Sequence, residues 1–158
     1  MRVIAKGLSL ANGIALTSDE AALLVSESGK YRVWKIAIGS RELDVARPSP
    51  QAQVLLDNLS GYPEILMRGS NGKIWLGLGG PRNDLDAMAQ LPFMRQLMLR
   101  IPRFLWPTPK PYGHVIAFTE DGNVIADLQD PSGKSPVTTG GTESAGRLYV
   151  HSIDGAQL

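Results

Sequence analysis

The chain has 158 residues, of which 43% are hydrophobic and 20% charged, and its formal net charge is +1. These values are typical of one globular domain with a single core, and a charge this close to zero argues against a nucleic-acid partner. The sequence has no cysteine, which excludes disulfides, thiolate metal sites and cysteine nucleophiles. No apolar run approaches the roughly 18 residues of a membrane span, and Arg2 and Lys6 interrupt any signal-peptide pattern in residues 1–10.

The first part of the chain predicts a four-stranded unit. Residues 31–38 alternate cleanly and are rich in the β-branched and aromatic residues that favour strands. Residues 39–51 are polar and contain Pro48 and Pro50, which indicates a loop. Residues 3–5 are predicted to be the outer strand of a preceding unit. The predicted strands of the first unit lie near residues 12–17, 22–27, 31–38 and 52–57.

A second unit of the same kind follows, and a third begins near Pro136. Asn71 and Gly72 are predicted to form the first hairpin turn of the second unit, because both tolerate positive φ. Residues 120–123 form its last hairpin turn. The third unit contributes about two strands. The strands of the second unit are predicted near residues 62–68, 73–78, 112–119 and 123–128.

An insertion at 79–111 interrupts the second unit. Asp84 is a good N-cap, and the spacing of apolar residues predicts helix within 84–105. One interpretation is a lid whose apolar face packs on the strands. The other is a basic amphipathic helix at 92–105 that lies on a membrane or a partner. The prolines and the moderate length favour the lid. The apolar residues that share one helical face are Met94, Leu97, Met98 and Ile101.

The turns of the three units can be superposed. Asn12, Glu64 and Thr138 then fall at the same place, with offsets of 64 − 12 = 52 and 138 − 64 = 74 residues, the second lengthened by the insertion. A hairpin unit that recurs about every 40–50 residues is typical of a β-propeller. In such a fold these three residues open successive inner strands and point toward the mouth of the central channel.

Four segments, taken together, resemble the strictosidine synthase-like family. They are residues 11–16, Glu27 with 31–34, residues 59–63 and residues 110–113. That family is a branch of the six-bladed β-propellers that also include gluconolactonases (SMP-30/gluconolactonase-like proteins) and paraoxonases. The resemblance implies an all-β propeller with a pocket for a small molecule at the mouth of the channel, which the insertion would cover.

Six blades of about 45 residues need roughly 270 residues. We therefore interpret the chain as a C-terminal part, a partial six-bladed propeller of about two full blades plus partial blades. The missing N-terminal half or another chain would be needed to close the ring. Without it we expect two uncovered blade faces, which are rare on stable monomers. These faces are predicted to contain Leu16, Val25, Val33 and Ile36 at one end, and Leu148 and Val150 at the other.

The resemblance also implies a metal site. Related propellers hold a cation with an Asn after the first inner turn, which Asn12 matches, and an Asp after a Pro, where this chain has Glu64. Carboxylate and amide oxygens suit Ca²⁺ or another divalent cation, which needs at least six oxygens. A further acidic ligand would lie in the first blade, outside this chain. The competing interpretation is that Asn12 and Glu64 cap turns and bond backbone amides.

Candidate catalytic groups are few. Strictosidine synthase carries a catalytic Glu before the hairpin turn of its last blade, and alignment on the turn places Gly140 there. Condensation of an amine with an aldehyde by that route is therefore disfavoured. His114 opens a strand near the mouth, as a candidate acid–base and pocket-lining residue beside Thr138, or as a structural hydrogen-bonding group. His151 is expected to be structural.

Glu27 and Arg32 are predicted to form a partly exposed ion pair, worth about 0–1 kcal/mol. The sequence has no Gly-rich phosphate loop, no recognisable Ser-His-Asp order and no metalloprotease helix. Two function classes remain: a metal-assisted hydrolase of lactones or esters, and a non-catalytic binding or membrane-associated propeller.

Overall fold

A computed structural model describes residues 2–82 and 111–153. The predicted helices of the insertion, and the lid and membrane-contact interpretations that depend on them, lie outside these ranges. Within the described ranges the chain is built from strands and two short 3₁₀ turns, as an all-β propeller fold requires. The strands are β1 (Ala5–Lys6), β2 (Ala11–Leu16), β3 (Ala22–Glu27), β4 (Arg32–Ala37), β5 (Leu43–Asp44), β6 (Ala52–Leu56), β7 (Gly61–Arg68), β8 (Ile74–Pro81), β9 (Gly113–Phe118), β10 (Val124–Asp130), β11 (Thr138–Ser144) and β12 (Arg147–Ser152).

The strands form successive blades of a partial propeller. The first blade is an antiparallel sheet in the order β2-β3-β4-β6, and the second is a sheet in the order β7-β8-β9-β10. The third contributes the pair β11-β12. The strand positions predicted for the two complete blades are confirmed to within three residues at each end. The turn prediction is also confirmed, because Asn71 and Gly72 have φ of 55° and 74°.

One short sheet was not predicted. Strand β1 pairs in parallel with β5, with Ala5 opposite Leu43 and Lys6 opposite Asp44. The predicted outer strand at residues 3–5 is therefore shifted toward the C-terminus, and the predicted loop at 39–51 contains a strand. This small sheet forms because it packs apolar side chains from both segments against the first blade.

The expectation that Val25, Val33 and Ile36 form an open face is wrong. Val33 and Ile36 are 0% and 1% exposed, and Val25 is also buried. Val25 and Ile36 lie under the β1–β5 sheet, in a cluster with Trp34 and Val45. Val33 instead belongs to the core between the first two blades. Strand alternation shows which residues share a face of a strand, but it does not show which segment covers that face. The three residues were therefore wrongly expected to be uncovered.

The main core lies between the first and second blades. It joins side chains of β3, β4 and β6 to those of the second blade. A smaller cluster of Trp75, Val115 and Ala117 faces the third blade, where the half-buried Leu148 packs on it. Leu16 and Val150 remain 37% and 39% exposed. The buried members of the main core are Leu24, Val33, Leu56, Leu66, Ile74, Leu76, Leu78, Ile116 and Phe118.

Candidate functional site

The inner strands of the first two blades approach each other closely at Gly13. A Cβ added to Gly13 would lie 2.3 Å from the backbone oxygen of Glu64, so only glycine fits there. The buried Ser26 hydroxyl joins the two strands, because it accepts a hydrogen bond from Gly13 N at 2.6 Å and donates one to Glu64 O at 2.6 Å. Backbone and hydroxyl contacts thus fix the position of the Glu64 backbone beside β2.

This approach brings Asn12 and Glu64 together. Asn12 Nδ2 donates a hydrogen bond to Glu64 Oε2 at 2.7 Å. The Glu64 carboxylate lies over Gly79, where an added Cβ would be 2.7 Å from Oε1. Asn12 is exposed and Glu64 is half-buried, so solvent reaches the pair. Two oxygen-bearing side chains that lie 52 positions apart in the sequence therefore meet on neighbouring inner strands.

The pair has suitable chemistry for a hard cation but does not make a complete site. Ca²⁺ takes six to eight oxygens, of which Glu64 and the carboxamide oxygen of Asn12 would supply a part. Across residues 2–82 and 111–153, no group of three or more His, Asp or Glu side chains is placed to hold a metal ion. The remaining ligands would have to be water, backbone carbonyls, substrate or residues outside these ranges.

Thr138 is a buried link between the second and third blades. Its Oγ1 accepts a hydrogen bond from His114 N at 2.7 Å and donates one to His114 O at 2.8 Å. Both residues border a small cavity of about 160 Å³, together with Val115, Leu128 and Val150. The Thr138 hydroxyl therefore makes its hydrogen bonds with the backbone of His114 and holds that part of β9 in place.

The His114 ring is the centre of a polar cluster. The side chain is only 9% exposed, and its Nε2 lies 2.7 Å from Asp127 Oδ1. On the other side of the ring, Nδ1 lies 3.4 Å from the Oγ of the exposed Ser60. A hydrogen bond from the Gln129 amide, followed by one from His114, lowers the pKa of Asp127. Asp127 is therefore ionised at neutral pH beside the imidazole.

Ser60 and Asp127 were missed from the sequence, although it contained a signal for one of them. In the β9–β10 pairing, His114 lies opposite Gln129 and Asp127 lies opposite Ile116. His114 and Ile116 share a strand face, so the pairing places Asp127 diagonally across from His114. Ser60 comes from the segment before β7, and no local pattern connects it with His114.

A wider cavity of about 760 Å³ opens beside this cluster. It is bordered by Lys30, Tyr31, Asn58 and Arg82, and by Ser9, Gly29 and Asp57. The Arg82 guanidinium stacks over the Tyr31 ring at 4.2 Å. Arg82 N also donates a hydrogen bond to Ser60 O at 3.2 Å, so one wall of the cavity contacts the cluster around His114.

Curated proteins resemble this chain over nearly its whole length. A protein named STRICTOSIDINE SYNTHASE-LIKE 10 from Arabidopsis thaliana is 28% identical over 96% of this chain and 41% of its own length. The chain is thus similar to a protein of the strictosidine synthase-like family over nearly its whole length. An adipocyte plasma membrane-associated protein from Danio rerio is 26% identical over 97% of this chain and 37% of its own length. No family model matches the sequence.

The chain spans about two fifths of the length of these curated relatives. STRICTOSIDINE SYNTHASE-LIKE 13 from Arabidopsis thaliana is 25% identical over 84% of the chain and 32% of its own length. Within the described ranges, none of the helices has the length and apolar character needed to cross a bilayer.

Gly140 has no acid–base group and is buried against the second blade. A Cβ added there would lie 3.2 Å from Ile65 Cβ. Two residues beyond, Thr142 Oγ1 lies 3.0 Å from Nε2 of His151. Both residues of that contact are in the β11–β12 hairpin, so the contact stabilises the pairing of these two strands.

Glu27 is more buried than predicted. Its side chain is 0% exposed, and Arg32 Nε donates to Oε2 at 2.6 Å. Trp34 Nε1 donates to the same oxygen at 2.6 Å, and Ser9 N donates to Oε1 at 2.7 Å. Burial alone would raise the pKa of Glu27, but these hydrogen bonds outweigh it and lower the pKa. The predicted pairing of Glu27 with Arg32 is confirmed, but the Glu27 side chain is fully buried because Ser9 and Trp34 also donate to its carboxylate.

Proposed function

We propose that this strictosidine synthase-like chain is part of a propeller hydrolase that cleaves esters or lactones with the help of Ca²⁺ or another divalent cation. The observation that supports this proposal is the 2.7 Å contact between Asn12 and Glu64 on neighbouring inner strands. An amide and a carboxylate in solvent contact are the ligand types that Ca²⁺ prefers.

The roles of the chain's own residues follow from their contacts. Glu64 would contribute a carboxylate oxygen, and Asn12 would turn its carboxamide so that the oxygen replaces the nitrogen. Ser26 and Gly13 hold the two strands at the spacing that this requires. A cation bound there would polarise a substrate carbonyl and lower the pKa of bound water.

We also propose that further blades from another segment or chain complete the propeller ring. Ile14, two residues after Asn12 on β2, is 61% exposed, and Tyr149 on β12 is 53% exposed. Apolar side chains on outward-facing blade strands favour coverage by further blades. We propose that an N-terminal half or another chain supplies those blades and the remaining acidic ligand.

A second candidate is a non-catalytic, membrane-associated propeller. It is favoured by the similarity to the Danio rerio protein named adipocyte plasma membrane-associated protein. The segment proposed for membrane contact, 92–105, lies outside the described residues. Amine–aldehyde condensation is not proposed, because Gly140 has no side chain that can transfer a proton.

Hydrolysis of 4-nitrophenyl acetate and of an aromatic lactone separates the two candidates. The proposed hydrolase should lose activity with excess chelator and regain it when Ca²⁺ is restored. The assay should be run on the chain alone and on a form extended to the length of its relatives. Binding to liposomes without chelator-sensitive hydrolysis in either form would favour the membrane-associated candidate.

A further inference from the structure

We propose that Ser60, His114 and Asp127 form a nucleophilic triad that transfers acyl groups from carboxylic esters without a metal ion. The three side chains form one continuous chain of contacts: Ser60 Oγ to His114 Nδ1 at 3.4 Å, and His114 Nε2 to Asp127 Oδ1 at 2.7 Å. A hydroxyl, an imidazole and an orienting carboxylate in this order are the parts of an activated serine.

The burial of the three groups matches their proposed roles. Ser60 is exposed, so a substrate can reach its Oγ. The His114 side chain is 9% exposed and is held by its backbone contacts to Thr138. Asp127 also accepts hydrogen bonds from Gln129 Nε2 at 3.0 and 3.1 Å, which fix the carboxylate. The nucleophile is therefore accessible while its base is rigid.

The ionised Asp127 determines the tautomer of His114. The Asp127 carboxylate accepts a hydrogen bond from His114 Nε2, so Nε2 carries a proton and Nδ1 presents its lone pair. Nδ1 faces Ser60 and can accept the hydroxyl proton. The distance of 3.4 Å is long for a hydrogen bond, and such contacts tighten when substrate binds.

The proposed reaction has two halves. Ser60 Oγ bonds to the ester carbonyl carbon, its proton passes to His114 Nδ1, and the carbonyl π pair moves onto oxygen. The carbonyl reforms as the bond to the alcohol breaks, and the alcohol leaves with the proton from Nδ1. Water then attacks the acyl group, gives one proton to Nδ1, and displaces Ser60, which recovers that proton. The net change is ester plus water to acid plus alcohol.

The neighbouring cavity indicates the class of ester. Lys30 and Arg82 border it, and among its lining residues only Asp57 carries a negative charge. Arg82 is held next to Ser60 by its backbone hydrogen bond to Ser60 O. Esters whose acyl part carries a carboxylate should therefore react faster than neutral ones.

This proposal shares its reaction class with the proposed function but not its residues or its metal. The test is labelling with a fluorophosphonate, which reacts with activated serines by losing fluoride and forming an Oγ–P bond. The full chain is incubated with the probe in excess EDTA, and intact mass and peptide mapping locate the label. The expected result is one label, on Ser60.

The variants assign the roles. Ser60→Ala should abolish the label, and His114→Gln should slow it by about 100-fold or more, as loss of a general base does. Asp127 acts through His114 as a positioning residue, so Asp127→Asn should slow labelling and Asp127→Glu should restore part of the rate. Ser132 is the matched control, because its hydroxyl bonds the Asp130 carboxylate without a histidine. Ser132→Ala should label like the parent chain.

The outcomes separate this proposal from the metal-dependent one. An unlabelled Ser60 in a cooperatively folded chain would overturn the triad, as would equal labelling rates in the parent chain and in folded His114→Gln or Asp127→Asn. EDTA-sensitive ester hydrolysis that survives in Ser60→Ala would support the cation site alone. Labelling of Ser60 without any Ca²⁺-dependent hydrolysis would support the triad and refute the metal proposal.

Discussion

The indole of Trp75 in the second blade donates a hydrogen bond to Glu143 in the third, with Nε1 2.9 Å from Oε2. The same carboxylate accepts hydrogen bonds from Ser70, through both its backbone N–H and its hydroxyl, and from Lys73 Nζ at 3.1 Å. Glu143 thus links the third blade to the β7–β8 hairpin turn of the second blade through hydrogen bonds. The hydrogen bonds from Ser70, Trp75 and Lys73 lower the pKa of Glu143 from its ordinary 4.5 to about 2.

Loss of the Glu143 charge should affect stability in a defined pH range. Because the folded-state pKa lies below the unfolded one, the stabilisation is complete above about pH 4.5 and is lost as the pH falls toward 2. The difference in melting temperature between the parent chain and Glu143→Gln should therefore be greatest near neutral pH and shrink below pH 4.5. Melting curves at several pH values measure it, and a pH-independent difference would refute the assignment.

Glu27 should be far more important for stability than an exposed acid. In Glu27→Gln the partly buried Arg32 loses its charge partner, and we expect a loss of about 3 kcal/mol in the free energy of unfolding. Glu42→Gln is the control, because Glu42 pairs with Lys6 while 74% exposed and should change stability by about 0–1 kcal/mol. Chemical denaturation compares the two, and equal losses would contradict the role given to burial.

Gly13 should tolerate no side chain. Gly13→Ala places a Cβ against the backbone of Glu64, which cannot move away as a flexible side chain can. We expect a loss of about 1–3 kcal/mol, typical of overpacking, together with a weaker response to Ca²⁺. Gly39→Ala is the matched control, because nothing lies within 4 Å of its added Cβ. Similar melting temperatures for the two variants would mean that β2 and β7 do not approach as described.

The strands of this chain were predictable because their signals are local. Alternation in residues 31–38 corresponds to β4, and the Asn71-Gly72 pair marks the turn between β7 and β8. The β1–β5 sheet was not predictable in the same way. Its pairing joins segments about 38 residues apart, and two-residue strands carry no periodicity. The burial of Val25 and Ile36 under it was missed for that reason.

The candidate site was predictable only in part. Asn12 and Glu64 emerged from the superposition of repeats, and the structure places them in contact. Ser60 and Asp127 lie 54 and 13 residues from His114, and the blade geometry brings them to it. Ser60, His114 and Asp127 follow one another in that order along the chain, but the order alone does not identify a cluster that cross-strand register and blade packing create.

We propose above all that Asn12 and Glu64 together bind a divalent cation. Ca²⁺ that binds only the folded state raises stability by about 2.7 kcal/mol at 100 times its dissociation constant. The most direct measurement is the melting temperature with and without Ca²⁺ of a form extended to the length of the relatives, its Asn12→Ala and Glu64→Gln variants, and the control Glu42→Gln. We expect Ca²⁺ to raise the melting temperature of the parent and of Glu42→Gln, and to raise that of Asn12→Ala and Glu64→Gln less. An unchanged response to Ca²⁺ in both site variants would contradict it.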